Sequence, residues 1–166
     1  ARFIEKQVNN RSFGSIESVK ISGLSGDPLS NIYVEYLEVR DKQGIWLKAN
    51  DLRLKWKPTA YLSNHFWVEK LAIQNTEIIR RPELNAAKAG SAAPRVTLES
   101  LALKTINLDE SLMGTALRLQ TTGQYTAQPH GEISAKLNAV RLDEAGDSLT
   151  LDFLSLKSGK MTGLFN

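Results

Sequence analysis

Large aliphatic residues recur along this chain at steps of two, three and two. The stretch VTLESLALKTINL (96–108) carries Val96, Leu98, Leu101, Leu103, Ile106 and Leu108, mostly separated by polar or small residues. Written Φ-x-Φ-x-x-Φ-x-Φ, with Φ being Val, Ile, Leu, Phe or Met, the unit obeys no simple period. On a helix its four Φ positions form two opposed stripes. On a regular strand the first pair faces one way and the second pair the other. One extra residue, in a β-bulge or a strand corner, restores all four to one side. The alternative is a strand that crosses between two packed layers and buries opposite faces in turn. Φ residues fill 47 of the 166 positions, so about one window is expected by chance. Five occur, starting at Ile32, Phe66, Val96, Leu101 and Leu149, and looser copies with one small residue start at Leu47, Leu112 and Ala135.

Punctuation between these runs predicts the remaining elements. ARFIEKQVNN (1–10) reads as a short N-terminal helix, with Ile4 and Val8 four apart. GLSGDPLS (23–30), DKQG (41–44), TAQPHG (126–131) and DEAGD (143–147) read as turns, the second closing a hairpin. KPTAYLSN puts Pro58 at the first position of a short helix near 58–63. ELNAAKAGSAAP (83–94) is small and polar after Leu84 and reads as a flexible loop or linker. It divides residues 1–82 from 95–166, which the shared strand pattern makes a continuation of the same sheet.

The fold expected is mainly β, with one side of each strand apolar and the other wet. Such a sheet must cover its apolar face. Two short helices cannot do it, which leaves a closed sandwich or barrel, or an elongated curved sheet forming a trough with an apolar concave face. A pentapeptide solenoid needs longer uninterrupted runs. The residues expected to line the apolar side are Val19 and Ile21, then Ile32, Val34, Leu37 and Val39, then Leu47, Leu52 and Leu54. Further along come Phe66, Val68, Leu71 and Ile73, the series from Val96 to Ile106, and Leu117 and Leu119. Val140, Leu142, Leu149, Leu151, Leu154 and Leu156 complete the set. Trp56 keeps phase with Leu52 and Leu54, whereas Trp46 and Trp67 fall at x positions.

Composition removes several classes. There is no cysteine, hence no disulfide, thiolate metal site or cysteine nucleophile. The net charge is +3, but Lys and Arg are dispersed among acids, so nucleic acid is not an expected partner. No run is long and apolar enough to span a membrane, and no secretory signal is visible. The chain starts at Ala1 and ends in MTGLFN, which reads as a piece of a longer protein. His65 and His130 lack metal-ligand spacing and are expected at the surface or as caps. Asp109 with Glu110, and Asp143 with Glu144, are neighbours that point apart on an extended chain, a poor acid/base pair. Ser25 lacks the context of a nucleophile elbow. The reading is therefore a non-enzyme without cofactor or metal. Lys48, Arg53, Lys55 and Lys57 make a local basic excess, read either as a solvated face or, with Trp46 and Trp67, as a membrane-surface contact. Arg80 and Arg81 read as a strand-end charge guard.

Residues 21–82 resemble the N-terminal periplasmic region of the TamB family, within the AsmA-like superfamily. The resemblance rests on a G-L-S-G segment, the hairpin L-E-V-R-D-x-x-G-x-W-L, L-R-L-x-W-x-P before a short helix, and a closing R-R-P. Residues 95–166 share only the looser strand texture. The resemblance implies a Gram-negative periplasmic protein anchored in the inner membrane. Its greasy β-trough would carry phospholipid and support outer-membrane biogenesis. It also implies an outer-membrane barrel partner of the TamA type, through a far C-terminal region that this chain lacks. No catalytic motif comes with it. A phospholipid with about 30 methylenes would face roughly 24 kcal/mol if carried naked through water. A uniform aliphatic groove cancels most of that without trapping its passenger. The alternative expectation is an assembly scaffold that templates outer-membrane β-barrel or autotransporter strands by β-augmentation.

Overall fold

The computed structural model describes residues 18–83, 94–129, 131–143, 147–155 and 161–165, with 151–155 and 161–165 described as backbone. The expected helix over 1–10, most of the 83–94 linker, His130, Glu144 and Leu156 lie outside these residues.

Nine strands hydrogen-bond to one another in chain order. They are β1 (Ser18–Asp27), β2 (Asn31–Asp41), β3 (Gly44–Trp56), β4 (His65–Ile78), β5 (Arg95–Leu108), β6 (Leu117–Ala127), β7 (Ile133–Arg141), β8 (Ser148–Ser155) and β9 (Met161–Phe165). The first eight form the body of one open sheet, and the five-residue β9 extends it. All neighbours are antiparallel except β4 and β5, which run parallel along their whole length. The mainly β expectation holds, and the sheet is neither closed nor strongly curled. Contacts between elements join adjacent strands, and a 3₁₀ helix over Pro58–Ser63 touches β4. Among the described residues no second layer lies on either face, so the sandwich and barrel expectations fail.

The 3₁₀ helix forms where Pro58 supplies a fixed φ at the first position, and it stops at Asn64 in the left-handed region. A one-turn helix, α1 (Glu110–Met113), was not expected. Asp109 caps it by accepting from the Ser111 N–H at 2.9 Å, and Gly114 ends it. Asp109 is thus a helix cap rather than half of a carboxylate pair. The run from Leu112 is correspondingly not a strand copy, since β6 begins only at Leu117.

The predicted turn at 23–30 is shorter than expected. β1 continues through GLSG to Asp27 because Gly23 and Gly26 take positive φ within the strand. A Cβ at Gly23 would lie 2.4 Å from the Cβ of Glu35, so only glycine fits there. The DKQG hairpin is present as expected, with Asp41 paired to Gly44.

Candidate functional site

The stutter in the sequence becomes a transverse band of irregularity in the sheet. Paired residues face the same side, and pairing skips residues at the same level in successive strands. Ile21 and Leu24 of β1 pair with Leu37 and Val34 of β2, which pair with Ala49 and Leu52 of β3. Those pair with Thr76 and Ile73 of β4, and these in turn with Ile106 and Leu103 of β5. One step of three in each of β1 to β5 falls in this band, and β4 and β5 carry a second, Val68 to Leu71 and Leu98 to Leu101, nearer their starts. In β1 it is taken up by Gly23 at φ +67°, and in β3 by Asp51 at φ 54°, whose carboxylate accepts from the Tyr33 hydroxyl. In β5 two register shifts against β6, at Leu98/Leu101 and Leu103/Ile106, insert the extra residues. Of the two structural options for the stutter, the bulge is the one realised.

The steps two, three, two read the same in both directions. A strand carrying them therefore matches its neighbour antiparallel, as β2 matches β3, or parallel, as Phe66, Val68, Leu71 and Ile73 match Val96, Leu98, Leu101 and Leu103. This symmetry is why one parallel pair enters the sheet without breaking the apolar side.

The result is a set of apolar rows crossing the strands. One runs Val19, Val39, Leu47, Ile78, Leu108, Leu117. Another runs Leu24, Val34, Leu52, Ile73, Leu103, Thr121, Ala139, Leu149. A third joins Ile32, Leu54, Leu71, Leu101, Gly123, Leu137 and Leu151. Shorter rows contain Trp56, Val68 and Leu98, and Phe66 with Val96. A further row runs Ile21, Leu37, Ala49, Thr76, Ile106, Leu119, so the expected lining residues from Val19 to Leu119 all fall in these rows. Val140 does not: it pairs with Gln120 and Ser148 and is 38% exposed. Leu142 follows the strand and is 43% exposed, and Leu154 pairs with Ser134, one register position away from the rows. β7 pairs with both neighbours without a register shift, so the second half of its motif copy changes side.

The apolar face is half-buried. Ala49, Val68 and Ile106 are shielded by their neighbours, yet no large side chain is fully buried among the described residues, and Leu149 is 50% exposed. A hollow of about 360 Å³ opens between Met113 of α1 and Leu108, Leu117, Leu119, Ala139 and Leu149. The Thr76 hydroxyl is buried in the rows without a hydrogen-bond partner.

The opposite face is polar and locally ordered by charge. Lys48 meets Glu77 at 3.7 Å, and Lys55 and Lys57 meet Glu69 at 2.9 and 3.3 Å. These pairs remove most of the basic excess expected on the β3 side. Trp67 is fixed there between Lys57, 3.8 Å from its ring centroid, and His65, stacked at 5.1 Å, while its N–H donates to Glu99. Burial and the nearby Arg95 charge hold the His65 pKa below its ordinary value. Trp46 sits at the β2–β3 register shift, where its carbonyl accepts from Ile79 N–H. Of the expected surface set, Trp67, Lys57 and Lys55 come together around Glu69, while Lys48 pairs with Glu77 and Arg53 lies over Tyr33.

Arg80 is not a simple edge guard. Its guanidinium donates to both carboxylate oxygens of Asp41, one at 2.9 Å, and to the Gly44 carbonyl at 2.8 Å. Asp41, which also accepts from the Gln43 and Glu83 N–H groups, has its carboxyl held well below the usual range by these bonds. This latch ties the β2–β3 turn to the end of β4, joining two of the motifs that carry the family resemblance. A buried acid in a tight turn, 39 positions before an Arg-Arg-Pro, carries no periodic signal that would reveal it.

Comparison with family models, with curated proteins and with solved structures finds no match for the chain. Among the described residues no cluster of three His, Asp or Glu side chains is arranged to hold a metal, and no helix is long and apolar enough to cross a membrane.

Proposed function

We propose that this sheet is a section of a hydrophobic surface that shields lipid acyl chains, as part of a periplasmic lipid-transport protein of the TamB and AsmA-like type. The observation that carries the reading is the continuous set of aliphatic rows left without a covering layer. At about 4.8 Å per strand, the longest row, across eight strands, extends roughly 34 Å. One acyl chain spans half of a hydrocarbon core of about 30 Å, so the rows are long enough for a chain laid across the strands. The lining is uniform, without a deep well or a specific polar receptor, which suits a sliding aliphatic passenger. In this reading the sheet forms one wall of the expected trough, and further curvature comes from its surroundings in the longer protein.

The test is photo-crosslinking in the intact parent. A reactive residue at Leu101 or Val68 is expected to trap phospholipid, and one at Glu99 is not. Adducts from Glu99 alone would overturn the proposal. Leu101→Arg is expected to impair outer-membrane integrity while the protein still accumulates, because a charge interrupts the rows.

Strand templating by β-augmentation draws less support. β1, at one edge of the described sheet, takes positive φ at Gly23 and Gly26. An irregular edge of this kind discourages strand addition.

A further inference from the structure

We infer a second site, on the polar face, for an organic anion that carries a phosphate group. It is a hollow of about 470 Å³ over β1 to β5, whose lining includes Tyr33, Arg53, Lys55, Lys70, Gln74 and Lys104 and contains no carboxylate. Its floor is low because Ala72 of β4, in register with Arg53, has almost no side chain. Long basic side chains from three strands rise around that small residue.

The charge arrangement distinguishes this hollow from the rest of the same face. Toward the other end of the strands one register row reads Lys20, Glu38, Lys48, Glu77, each charge opposite its counter-charge. In the hollow the register instead sets Lys55 directly against Lys70. Like charges opposite one another destabilise a sheet. Lys55 is relieved by Glu69, but Lys70 and Lys104 make no ion pair among the described residues, and Arg53 lies over the Tyr33 ring at 5.9 Å. A phosphate seated among these groups removes the repulsion and gains charge-assisted hydrogen bonds. The volume lies in the range of small-molecule sites and exceeds the needs of a bare phosphate ion. A phospholipid headgroup and a soluble organophosphate offer the same chemistry. Ile32 and Leu54 of the aliphatic rows also border the hollow. Tyr33, Arg53, Lys55, Lys70 and Ala72, however, alternate with row residues along their strands and so face the other side, and the site stands independently of the lipid-shielding proposal.

Binding of the full chain to glycerol 3-phosphate is measured by calorimetry, and to phosphatidylglycerol vesicles, against phosphatidylcholine vesicles, by co-sedimentation. Salt-sensitive binding in either arm is expected. The soluble arm alone indicates a metabolite site, and selective vesicle binding indicates a headgroup site. The double variant Lys70→Gln with Lys104→Gln is expected to weaken binding on the order of tenfold or more. Lys20→Gln with Lys48→Gln, which makes the same change in net charge, is expected to leave it within twofold. No binding in either arm, or an equal loss in both double variants, overturns the site.

Discussion

Strands β2 to β5 and strands β6 and β7 belong to one sheet yet reach the same side by different means. Between Val96 and Leu108 β5 uses 13 residues, whereas β6 covers the paired distance from Leu117 to Ala127 with 11. The difference, 13 − 11 = 2, is the two extra residues at its bulges. β6 alternates strictly, and β7 does so too, with Ala135, Leu137 and Ala139 in the rows and Val140 outside them. The same sequence motif therefore has opposite consequences: in β5 the step of three preserves the face, and in β7 it crosses it. The register shows the difference: β5 keeps step with β4, which repeats its step of three, and takes both shifts against β6, whereas β7 pairs with β6 and β8 without a shift.

The strongest test replaces Leu103 and Ile106, the two residues that the bulge in β5 holds on the same side, with alanine. The expected loss is about 3–6 kcal/mol, at 1.5–3 kcal/mol for each aliphatic side chain. Urea denaturation measures it, and a loss below about 1 kcal/mol would show that the bulge does not serve to keep these side chains in the rows.

Next is the latch that secures the bulged half. Asp41→Asn is expected to lower Tm by several degrees and to speed hydrogen exchange in β2 and β3 before β6 and β7. The pH dependence has a definite sign. Because the folded carboxyl is held below its ordinary 3.8, its stabilisation is complete above that value and fades as pH falls through the folded pKa. Asp41→Asn removes this acid-sensitive component, so the difference between the variant and the parent should shrink in acid titrations.

A smaller effect is expected at Asp51, where Asp51→Val places a branched residue at positive φ and removes the Tyr33 bond. The cost is about 1–2 kcal/mol, while Asp51→Gly stays close to the parent. The smallest is Val140→Gln, expected to lie within about 0.5 kcal/mol of the parent since that position is exposed. A large loss at Val140 would mean that the polar side of β7 is covered in solution.

Much of the fold was legible because the apolar pattern is local and repeated. The extended runs, the DKQG hairpin, the Pro58 helix and the one-sided wetness of the strands follow from residue order alone. α1 was missed because Leu112 mimics a motif position. The GLSG turn was misplaced because glycine with positive φ serves a bulge as readily as a turn. The Asp41–Arg80 latch and the basic hollow were invisible for a different reason: each brings together residues from strands whose register no local pattern specifies.

By itself the sequence determined that strands with one apolar and one polar side would form, since side-chain alternation is a property of each strand. It also supplied the reversible two-three-two spacing that lets neighbours match in either direction. Only the tertiary structure decided which steps of three become bulges, that β4 and β5 run parallel, and that no second layer covers the aliphatic rows among the described residues. Those outcomes depend on pairing between distant segments, where one residue of register decides which face a side chain joins.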